Sequence, residues 1–433
     1  MTSPWIAPDR APVEFSRSIV ERAHDELLAG NDADPRLQQV RPVVRASWGR
    51  SLARIGVADA LPRLDLSADE LDDERRRHPL AGAMDVIRQL LLPGDAAEAG
   101  VIVAVGDIAG RLLWVEGDTR LRVRAGDMGF VEGANWSEER VGTSAPGTAL
   151  ALGRAVQVRG PEHFSRLVRP WSCTASPIRD PETRAVLGVL DVTGGDPAAA
   201  PQARMLVEAT VRAVESELML SRMRSRTAPP PHSEIRPATR TRTRTRLSVL
   251  GRDRALIGSA GGAELSERHS ELLLMLHAHA RGVTAERLAE LVYGAPDAVG
   301  TLRPEMVRLR QALRRHAPSL TLESRPYRLT ADLDTDADDV RSLLARGAHR
   351  VALAAWAGDV LPDSHAPGVV ELRERLRAEI REAILSDACL DVLLRFLDTE
   401  LGADDVEAMR LCLALLPPRS PRRAGIVARL DAL

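Results

Sequence analysis

The sequence predicts a multidomain α+β protein with an antiparallel sheet in its first half, a three-helix unit with a hairpin after it, and a helical C-terminal module. Three observations predict this. A chain of 433 residues is too long for one ordinary domain. Apolar runs between residues 100 and 194 alternate with turn signals rather than with the long helices of βαβ repeats. A stretch rich in proline and arginine at 225–247 separates this half from a region of helical periodicity.

Composition excludes several classes of protein. The formal net charge is -2, so the whole chain is not a polycation, and any nucleic-acid binding must come from a local excess of positive charge. The sequence contains no lysine, so all 59 basic residues are arginine. A P-loop NTPase needs its lysine on the phosphates, and Schiff-base chemistry needs a lysine amine. Both are therefore excluded.

The cysteines and the apolar runs indicate a protein of a reducing cytoplasm. Cys173, Cys389 and Cys412 are far apart, with no Cys-x-x-Cys or Cys/His ligand spacing, so no zinc or other metal site is expected. The first residues lack the apolar segment of a signal peptide, and no apolar run approaches 18 residues. We therefore expect neither secretion nor membrane insertion.

Residues 1–77 are predicted to form a helical lead-in. Helices are expected at 14–30 and 40–56, and in the second of these Val44, Trp48, Leu52 and Ile55 recur at helical spacing. This apolar face favours packing against the domain that follows.

Residues 78–224 are predicted to form the α+β domain. A helix at 78–92 precedes two apolar runs separated by Asp-Ile-Ala-Gly, which is typical of a hairpin. A helical stretch is expected near 124–132, and a long amphipathic helix closes the domain at about 224. The predicted strands are 100–107, 110–118, 154–160, 171–180 and 185–194.

Residues 225–247 are predicted to be a linker, because three consecutive prolines and alternating Arg-Thr pairs cannot bury an apolar face. Between 222 and 246 there are eight arginines against one glutamate. Two interpretations stay open at this point. The stretch is either a solvated spacer or a basic arm on DNA phosphates.

Residues 248–332 have the element order of a winged helix-turn-helix. Helices are predicted at 265–280, 283–294 and 300–318, followed by two short β runs around 324–326. Ser266 and Thr284 are expected N-caps, and Gly294 is an expected helix stop. Residues 333–433 are predicted to be a helical activation or interaction module, with 18 acidic residues against 13 arginines.

The third of these helices is the predicted DNA reader. Leu302, Met306, Leu309 and Leu313 share one face. Arginine pairs with guanine and glutamine with adenine in the major groove, and other arginines hold phosphates. The alternative is a solvated basic helix. The candidate DNA-binding residues on this helix and in the hairpin are Arg303, Arg308, Arg310, Gln311, Arg314, Arg315, Arg325 and Arg328.

The loop "NWSEERVGTSAPGTALALGRAV" at 135–156 is the least ordinary stretch. Glu138 and Glu139 are adjacent and are expected to point apart, so they are not an acid and base pair, and no Gly-x-Ser-x-Gly elbow surrounds Ser144. Thr143 or Ser144 is expected to cap a helix that Gly153 ends. The alternative is direct contact between this helix start and an anionic ligand.

Four segments together carry a family resemblance. "DIAGRLLWVEGD", "GANWSEERVGTSAPGTAL", "GPEHF" and "WSCTASPIRD…VLGVLDVTG" occur in the order and spacing of the sensory GAF domain of acetoin-catabolism-type regulators. The resemblance covers roughly residues 40–220 and includes "VRPVVRASWGRSL", similar to the family's Ser-Trp-x-Arg-Ser segment. Ser144 stands where the family has asparagine, and the family's central ATPase is absent.

The second half carries a different likeness. "TLRPEMVRLRQALRR" with "RPYRL" resembles the winged helix of OmpR-like effectors and of actinomycete antibiotic-pathway activators. The tail "VLPDSHAPGVVELRERLRAEIREAIL" is similar to the helical activation domain of those activators, in a looser match.

The two resemblances imply a cytoplasmic one-component transcriptional regulator and not an enzyme. It would have a GAF-type antiparallel sheet with flanking helices, a winged helix-turn-helix and a C-terminal helical module. The implied partners are promoter DNA, a small-molecule effector, RNA polymerase and a second copy of the chain, with no cofactor and no metal. The implied residues of the effector cup are Trp114, Trp136, Thr143, Ser144, His163, Phe164, Trp171 and Cys173.

Two alternatives stay open. The chain is instead a GAF-type redox enzyme or thiol sensor that uses Cys173, or a scaffold whose helical tail is the functional part. A Cys173→Ser change separates the first from the regulator, and the salt dependence of DNA binding separates the second.

Overall fold

The computed structural model describes residues 14–55, 61–92, 94, 99–227, 245–258 and 262–432. They divide into two compact units. The first comprises residues 1–233 with 346–351, and the second comprises 234–345 with 352–433. Most of the predicted linker, residues 228–244, lies outside the described residues.

The first unit holds a five-stranded sheet with helices before, within and after it. Its helices are α1 (Glu14–Leu28), α2 (Pro42–Ile55), α3 (Ala68–Arg77), α4 (Met84–Leu91), α5 (Thr119–Gly126), α6 (Glu138–Val141), α7 (Ala145–Leu152) and α8 (Pro201–Thr227). Its strands are β1 (Val101–Asp107), β2 (Leu112–Gly117), β3 (Val156–Arg159), β4 (Ser172–Arg179) and β5 (Val186–Gly194). Short 3₁₀ turns lie at Pro35–Gln39, Pro79–Ala83, Gly160–Glu162, Arg166–Val168 and Asp196–Ala199.

The sheet has the order β2-β1-β5-β4-β3, and every neighbouring pair is antiparallel. The predicted antiparallel sheet is therefore confirmed, as is the predicted hairpin of β1 and β2. The helix expected near 124–132 begins earlier, at Thr119, because the Asp118 side chain accepts a hydrogen bond from the Leu121 amide and caps it.

One face of the sheet packs against α4 and α8. Val103 of β1 and Val192 of β5 join Ile87 of α4 and Val207 and Val211 of α8 in one apolar cluster. Side chains alternate between the two faces of a strand. Asp191 and Thr193, which flank Val192, therefore lie on the opposite face.

A separate apolar cluster forms the lead-in. Trp48 of α2 is fully buried with Ala23 of α1, Leu37 and Phe164. The residues that recur at helical spacing in α2 therefore pack in an apolar cluster, as the sequence predicts.

The second unit begins with a small sheet and three helices. Its elements up to the hairpin are β6 (Thr245–Ser248), β7 (Leu256–Ile257), β8 (Ala263–Glu264), α9 (Glu267–Ala278), α10 (Ala285–Tyr293), α11 (Val299–His316), β9 (Leu322–Ser324) and β10 (Tyr327–Leu329). Ser266 and Thr284 cap α9 and α10, and Gly294 ends α10 in the left-handed conformation, as predicted.

The remaining elements are one more strand and six helices of the described chain: β11 (Leu333–Thr335), α12 (Asp336–Ala345), α13 (His349–Ala355), α14 (Pro367–Asp387), α15 (Leu390–Leu397), α16 (Val406–Leu415) and α17 (Arg422–Ala432). β11 pairs in parallel with β6, in a sheet of order β11-β6-β7-β8. The sequence pattern does not predict this strand, since three residues are too few for a periodic signal.

No helix among the described residues is long and apolar enough to cross a membrane.

Candidate functional site

The loop at 135–156 is fastened to α2 by a buried carboxylate. Glu138 lies on α6 and is 6% exposed. Its Oε1 accepts from Arg50 Nε at 2.5 Å and its Oε2 from Arg50 Nη2 at 2.9 Å. Ser47 Oγ also donates to Oε2, at 3.0 Å. The predicted ligand loop is thereby tied to the lead-in helix through a two-point ion pair.

Glu139 points the other way. Its carboxylate is 70% exposed and pairs with Arg54, one turn beyond Arg50 on α2. The expectation that the two adjacent glutamates point apart is confirmed. They do not form a pair of carboxyls around one reacting centre.

A cluster of hydroxyls joins the same two elements. Ser47 Oγ lies 2.7 Å from Thr143 Oγ1 and 3.3 Å from Thr148 Oγ1. Ser51 Oγ lies 3.2 Å from Thr143 Oγ1 and donates to the Ser47 carbonyl at 2.8 Å. All four side chains are buried, and each has a hydrogen-bond partner, so the cluster satisfies itself.

Ser144 caps α7, as one of the two predicted alternatives has it. Its Oγ accepts from the Gly147 amide at 3.3 Å and lies 3.3 Å from the Trp136 carbonyl, to which it donates. Gly153 ends the helix in the left-handed conformation. The sequence signal for the partners of this loop is the "SWGRS" segment, which supplies Ser47 and Arg50, but its spacing alone does not show which loop it meets.

The predicted aromatic residues pack in different parts of the first unit. Trp136 is 2% exposed, donates from Nε1 to the Gly129 carbonyl at 3.0 Å and packs edge-on against Phe130. Trp114 belongs to the cluster on the α4 and α8 face. Phe164 belongs to the lead-in cluster.

Trp171 lies beneath a positive charge. The Arg124 guanidinium is 5.2 Å from the centre of its ring, within the range of a cation–π contact. The ring itself is 5% exposed.

His163 and Cys173 are the predicted residues that the structure brings together. His163 Nε2 lies 3.5 Å from Cys173 Sγ. Burial lowers the pKa of His163 to about 4, and burial also raises the pKa of the Cys173 thiol. Both side chains are therefore neutral near pH 7, and the thiol is not activated as a thiolate.

Two further residues extend the contacts of Cys173, and the sequence analysis does not single out either of them. Thr193 Oγ1 lies 3.0 Å from Cys173 Sγ and 2.7 Å from Asp191 Oδ2. Asp191 is fully buried, and burial raises its pKa to about 7. The "LDVTG" segment contains both residues. An aspartate in a strand does not by itself predict a row of buried, hydrogen-bonded side chains.

The second unit carries the predicted DNA-binding residues. Leu302, Met306, Leu309 and Leu313 of α11 are buried, and the opposite face is exposed, as the sequence predicts. Along the described residues, Arg303, Arg314, Arg315 and Arg325 form no ion pair within 4.0 Å. Gln311 is exposed beside them.

Three of the candidate arginines have partners inside the unit. Arg308 lies 3.2 Å from Glu305 in the preceding turn. Arg310 reaches the hairpin, where Nη2 donates to Ser324 Oγ at 2.6 Å and Nε to the Leu322 carbonyl at 3.4 Å. Arg328 pairs with Glu323 across the hairpin at 2.6 Å. Arg310 and Arg328 therefore brace β9 and β10.

Two family models match parts of the chain. Residues 18–216 match the family model of the MimR N-terminal domain. Residues 390–433 match the model of the third C-terminal helical domain of YTH3-like proteins.

Several relatives are named activators of catabolic operons. The acetoin dehydrogenase operon transcriptional activator AcoR of Bacillus subtilis is 33% identical over 190 residues, which is 42% of this chain and 30% of AcoR. The propane 2-monooxygenase operon transcriptional activator MimR of Mycolicibacterium goodii is 28% identical over 215 residues, 48% of this chain and 34% of MimR. The chain thus spans about a third of the length of these activators.

One solved structure is similar to part of the chain. The E. coli DhaR(N)–DhaL complex has a TM-score of 0.39 and 19% identity, over 43% of this chain and 64% of that chain.

One relative matches along nearly the full length. It is described as an uncharacterized 47.3 kDa protein in the thcA 5′ region of Rhodococcus erythropolis. The two sequences are 42% identical over 397 residues, which is 91% of this chain and 87% of the relative. The chain belongs to the family of this Rhodococcus protein.

Proposed function

We propose that this chain is a one-component transcriptional regulator that binds a small molecule in a GAF-type sensory domain and promoter DNA through a winged helix. The observation that carries the proposal is the exposed face of α11, where Arg303, Arg314 and Arg315 have no acidic partner among the described residues. Unpaired arginines on a packed helix are available to phosphates and base edges.

The elements around α11 support a winged helix. α9, α10 and α11 precede the β9–β10 hairpin, and Val283 before α10 bridges to Tyr327 of the hairpin. Arg310 fixes the hairpin against α11. In this arrangement Arg325 at the hairpin tip reaches the backbone or a groove next to the one that α11 reads.

The first unit supports a sensory role. Its antiparallel five-stranded sheet, with helices on it, agrees with a GAF-type domain. Residues 18–216 match the MimR N-terminal domain model, and two relatives of the chain are named transcriptional activators. A regulator without lysine has no Walker-A ATPase, so it would act on RNA polymerase by recruitment or occlusion. The effector shifts the chain between two states through its differential affinity for them.

We further propose that α8 mediates a homodimer. Met205, Met219 and Leu220 are 71%, 40% and 47% exposed on this 27-residue helix. Met205 and Met219 are two heptads apart and so lie on one side of the helix. A dimer also matches paired half-sites in DNA.

Burial does not favour the thiol alternative. Cys173 is 4% exposed and its pKa is raised, whereas redox-sensing thiols are accessible and have lowered pKa values.

Fluorescence anisotropy tests the proposal. The full chain is titrated onto labelled DNA from upstream of its own gene and onto a scrambled duplex, each at two salt concentrations. We expect tighter binding to the upstream DNA and weakening with salt, with a slope of about 0.9 per phosphate contacted. Equal affinity for both duplexes, or affinity that salt leaves unchanged, contradicts the proposal.

A further inference from the structure

The exposed face of α11, which the structure describes along its whole length, carries one large apolar side chain. Val307 is 52% exposed, although the residue before it, Met306, is fully buried. Residues four apart are neighbours on the surface of a helix. Val307 therefore lies between Arg303 in the turn before it and Gln311 in the turn after it, and both of these residues are exposed. The proposed DNA-reading face thus has an apolar centre and polar borders.

The charges around Val307 limit the kind of surface that can cover it. Arg303 and Arg314 lie on the same side of α11, one turn before and two turns after Val307, and neither forms an ion pair within 4.0 Å among the described residues. A partner that buries Val307 must therefore also supply acceptors for two guanidinium groups. The phosphates and base edges of a DNA duplex supply them. An apolar protein surface would remove water from both charges without replacing it, at a large cost.

Exposure by itself does not mark Val307 as functional, because single apolar side chains are common on protein surfaces. Val427 on α17 is exposed to a similar extent, at 43%. The arginine one turn before it, Arg423, donates to the carbonyls of Leu413 and Leu416. The combination of an exposed valine with arginines that have no acidic partner is therefore a property of α11 and does not extend to α17.

The major groove of DNA offers an apolar side chain one kind of partner. The base edges there present hydrogen-bond donors and acceptors, and thymine adds the apolar C5-methyl group. Valine has no hydrogen-bonding atom in its side chain, so Val307 cannot pair with a donor or acceptor of any base. Covering such an atom would leave it unpaired, which costs affinity. Contact with a thymine methyl group is the arrangement that avoids this cost.

We propose that Val307 contacts the C5-methyl group of a thymine in the major groove and so selects a T·A base pair at one position of the binding site. This assignment rests on the proposed DNA-binding function and deepens it. Arg303 and Arg314 bind phosphates or base edges on either side of the contact. Arg310 and Arg328 stay bracing residues, because their partners lie in the β9–β10 hairpin.

Replacement of thymine by deoxyuridine tests the contact, because uracil keeps the pairing edge of thymine and lacks only the C5-methyl group. Each thymine of the upstream duplex is replaced singly, and fluorescence anisotropy measures the affinity of the full chain. We expect at least one position at which the replacement weakens wild-type binding roughly fourfold, which corresponds to about 0.8 kcal/mol for one buried methyl-sized group. Unchanged affinity at every thymine overturns the proposal.

Val307→Ala shows whether Val307 makes that contact. We expect this variant to bind the thymine duplex roughly fourfold more weakly than the wild type, and to lose nothing further when deoxyuridine is placed at the sensitive position. Alanine favours a helix and Val307 is outside the buried core, so thermal unfolding should show an unchanged Tm. Wild-type affinity of Val307→Ala for the thymine duplex, or full sensitivity of this variant to deoxyuridine, overturns the proposal.

Val427→Ala is the matched control. It shortens an exposed valine on another helix of the second unit, and it should keep both the wild-type affinity and the wild-type sensitivity to deoxyuridine. A scrambled duplex is the second control. If Val307→Ala weakens binding to the upstream and scrambled duplexes equally, Val307 belongs to a surface that does not read sequence, and the proposal is overturned.

The same duplexes separate this proposal from the proposed function. Tighter, salt-dependent binding to the upstream DNA without any effect of deoxyuridine leaves the regulator standing and removes Val307 as a reader of thymine. Equal affinity of the wild type for the upstream and scrambled duplexes removes the regulator, and the thymine contact with it.

Discussion

Arg50 and Glu138 form a two-point ion pair, Nε to Oε1 at 2.5 Å and Nη2 to Oε2 at 2.9 Å, although 88 positions separate them in the chain. The pair joins the lead-in helix to the loop that begins the predicted ligand motif. It explains why that loop carries two glutamates. Glu138 pairs with Arg50 of α2 inside the protein, and Glu139 pairs with Arg54 at the surface.

Arg50→Met is expected to destabilise the first unit by roughly 1–3 kcal/mol. The change leaves the Glu138 carboxylate buried without its cation, while the partial exposure of Arg50 keeps the cost below that of a fully buried pair. Denaturant unfolding measures the effect.

Arg54→Met is the matched control, because it breaks the neighbouring exposed pair with Glu139. Its cost is expected to stay below about 1 kcal/mol. Equal losses for Arg50→Met and Arg54→Met would show that burial of Glu138 contributes nothing.

Arg315→Ala is expected to weaken binding to all DNA sequences, and Gln311→Ala to change the preference between sequences by about 1–3 kcal/mol. The reason is that phosphate contacts are independent of sequence and base-edge contacts are not. Anisotropy on the upstream duplex and on single-base variants measures both. Arg375→Ala on α14, an exposed arginine paired with Glu371, is the control and should leave affinity unchanged. Wild-type affinity in Arg315→Ala and Gln311→Ala would remove α11 as the reader.

Met219→Glu with Leu220→Glu is expected to convert a dimer to a monomer. Two charges on the exposed side of α8 repel their copies across a symmetric interface, and neither residue is part of the buried core. Sedimentation velocity measures the mass. Val427→Glu, an equally exposed apolar residue on α17, should leave the mass unchanged. A wild-type chain that is monomeric, or a double variant that stays dimeric, contradicts a dimer through α8.

The stability of Asp191→Val relative to the wild type is expected to rise as pH rises from about 4 to 7. The wild-type carboxyl has a folded pKa of about 7 against 3.8 in the unfolded chain, so the folded state holds an extra proton in this window. Wild-type stability from this group is fully present below 3.8 and is lost as pH rises to about 7. Thermal unfolding of both proteins at about pH 4.5 and about pH 7.5 measures the difference. A difference that does not change with pH would place Asp191 in contact with water.

The contribution of His163 to folding stability is expected to change with pH in the opposite direction, falling as pH falls. Its folded pKa of about 4 lies below the ordinary 6.5, so the unfolded chain binds a proton first as pH falls. As pH falls from 6.5 to about 4, stability should drop by about 1.4 kcal/mol per pH unit for this residue. His163→Gln, compared with the wild type by denaturant unfolding across this range, should show a shallower decline. An equal decline in both proteins would contradict a buried neutral ring.

Local features can be predicted from the sequence, and long-range polar pairs cannot. The caps Ser144, Ser266 and Thr284 follow from side chains that bond the next turn, and the α11 core face follows from helical spacing. Periodicity says nothing about which distant group a polar side chain meets. The pairing of Arg50 with Glu138 therefore becomes visible only in the folded chain.

The predicted aromatic residues show the same limit. Trp114 and Phe164 occur in one set of motifs, yet they lie in different apolar clusters. An aromatic residue is equally suited to an apolar core and to an effector cup. Only the strand register shows on which face of the sheet its side chain lies. The importance of Asp191 could not be predicted from the sequence for a related reason. Its Oδ1 is buried and has no hydrogen-bond partner among the described residues, and this depends on the fold.

The pairing of β6 with β11 has a mechanical consequence. The chain enters the three-helix unit along β6 and leaves it along β11, and the two strands run in parallel. A pull on the linker before β6 and on the helices after β11 therefore draws the strands in opposite directions along their length. That geometry loads the hydrogen bonds of the pair together in shear instead of opening them one after another. The hydrogen bonds between β6 and β11 would resist tension along the chain before that tension reached α11.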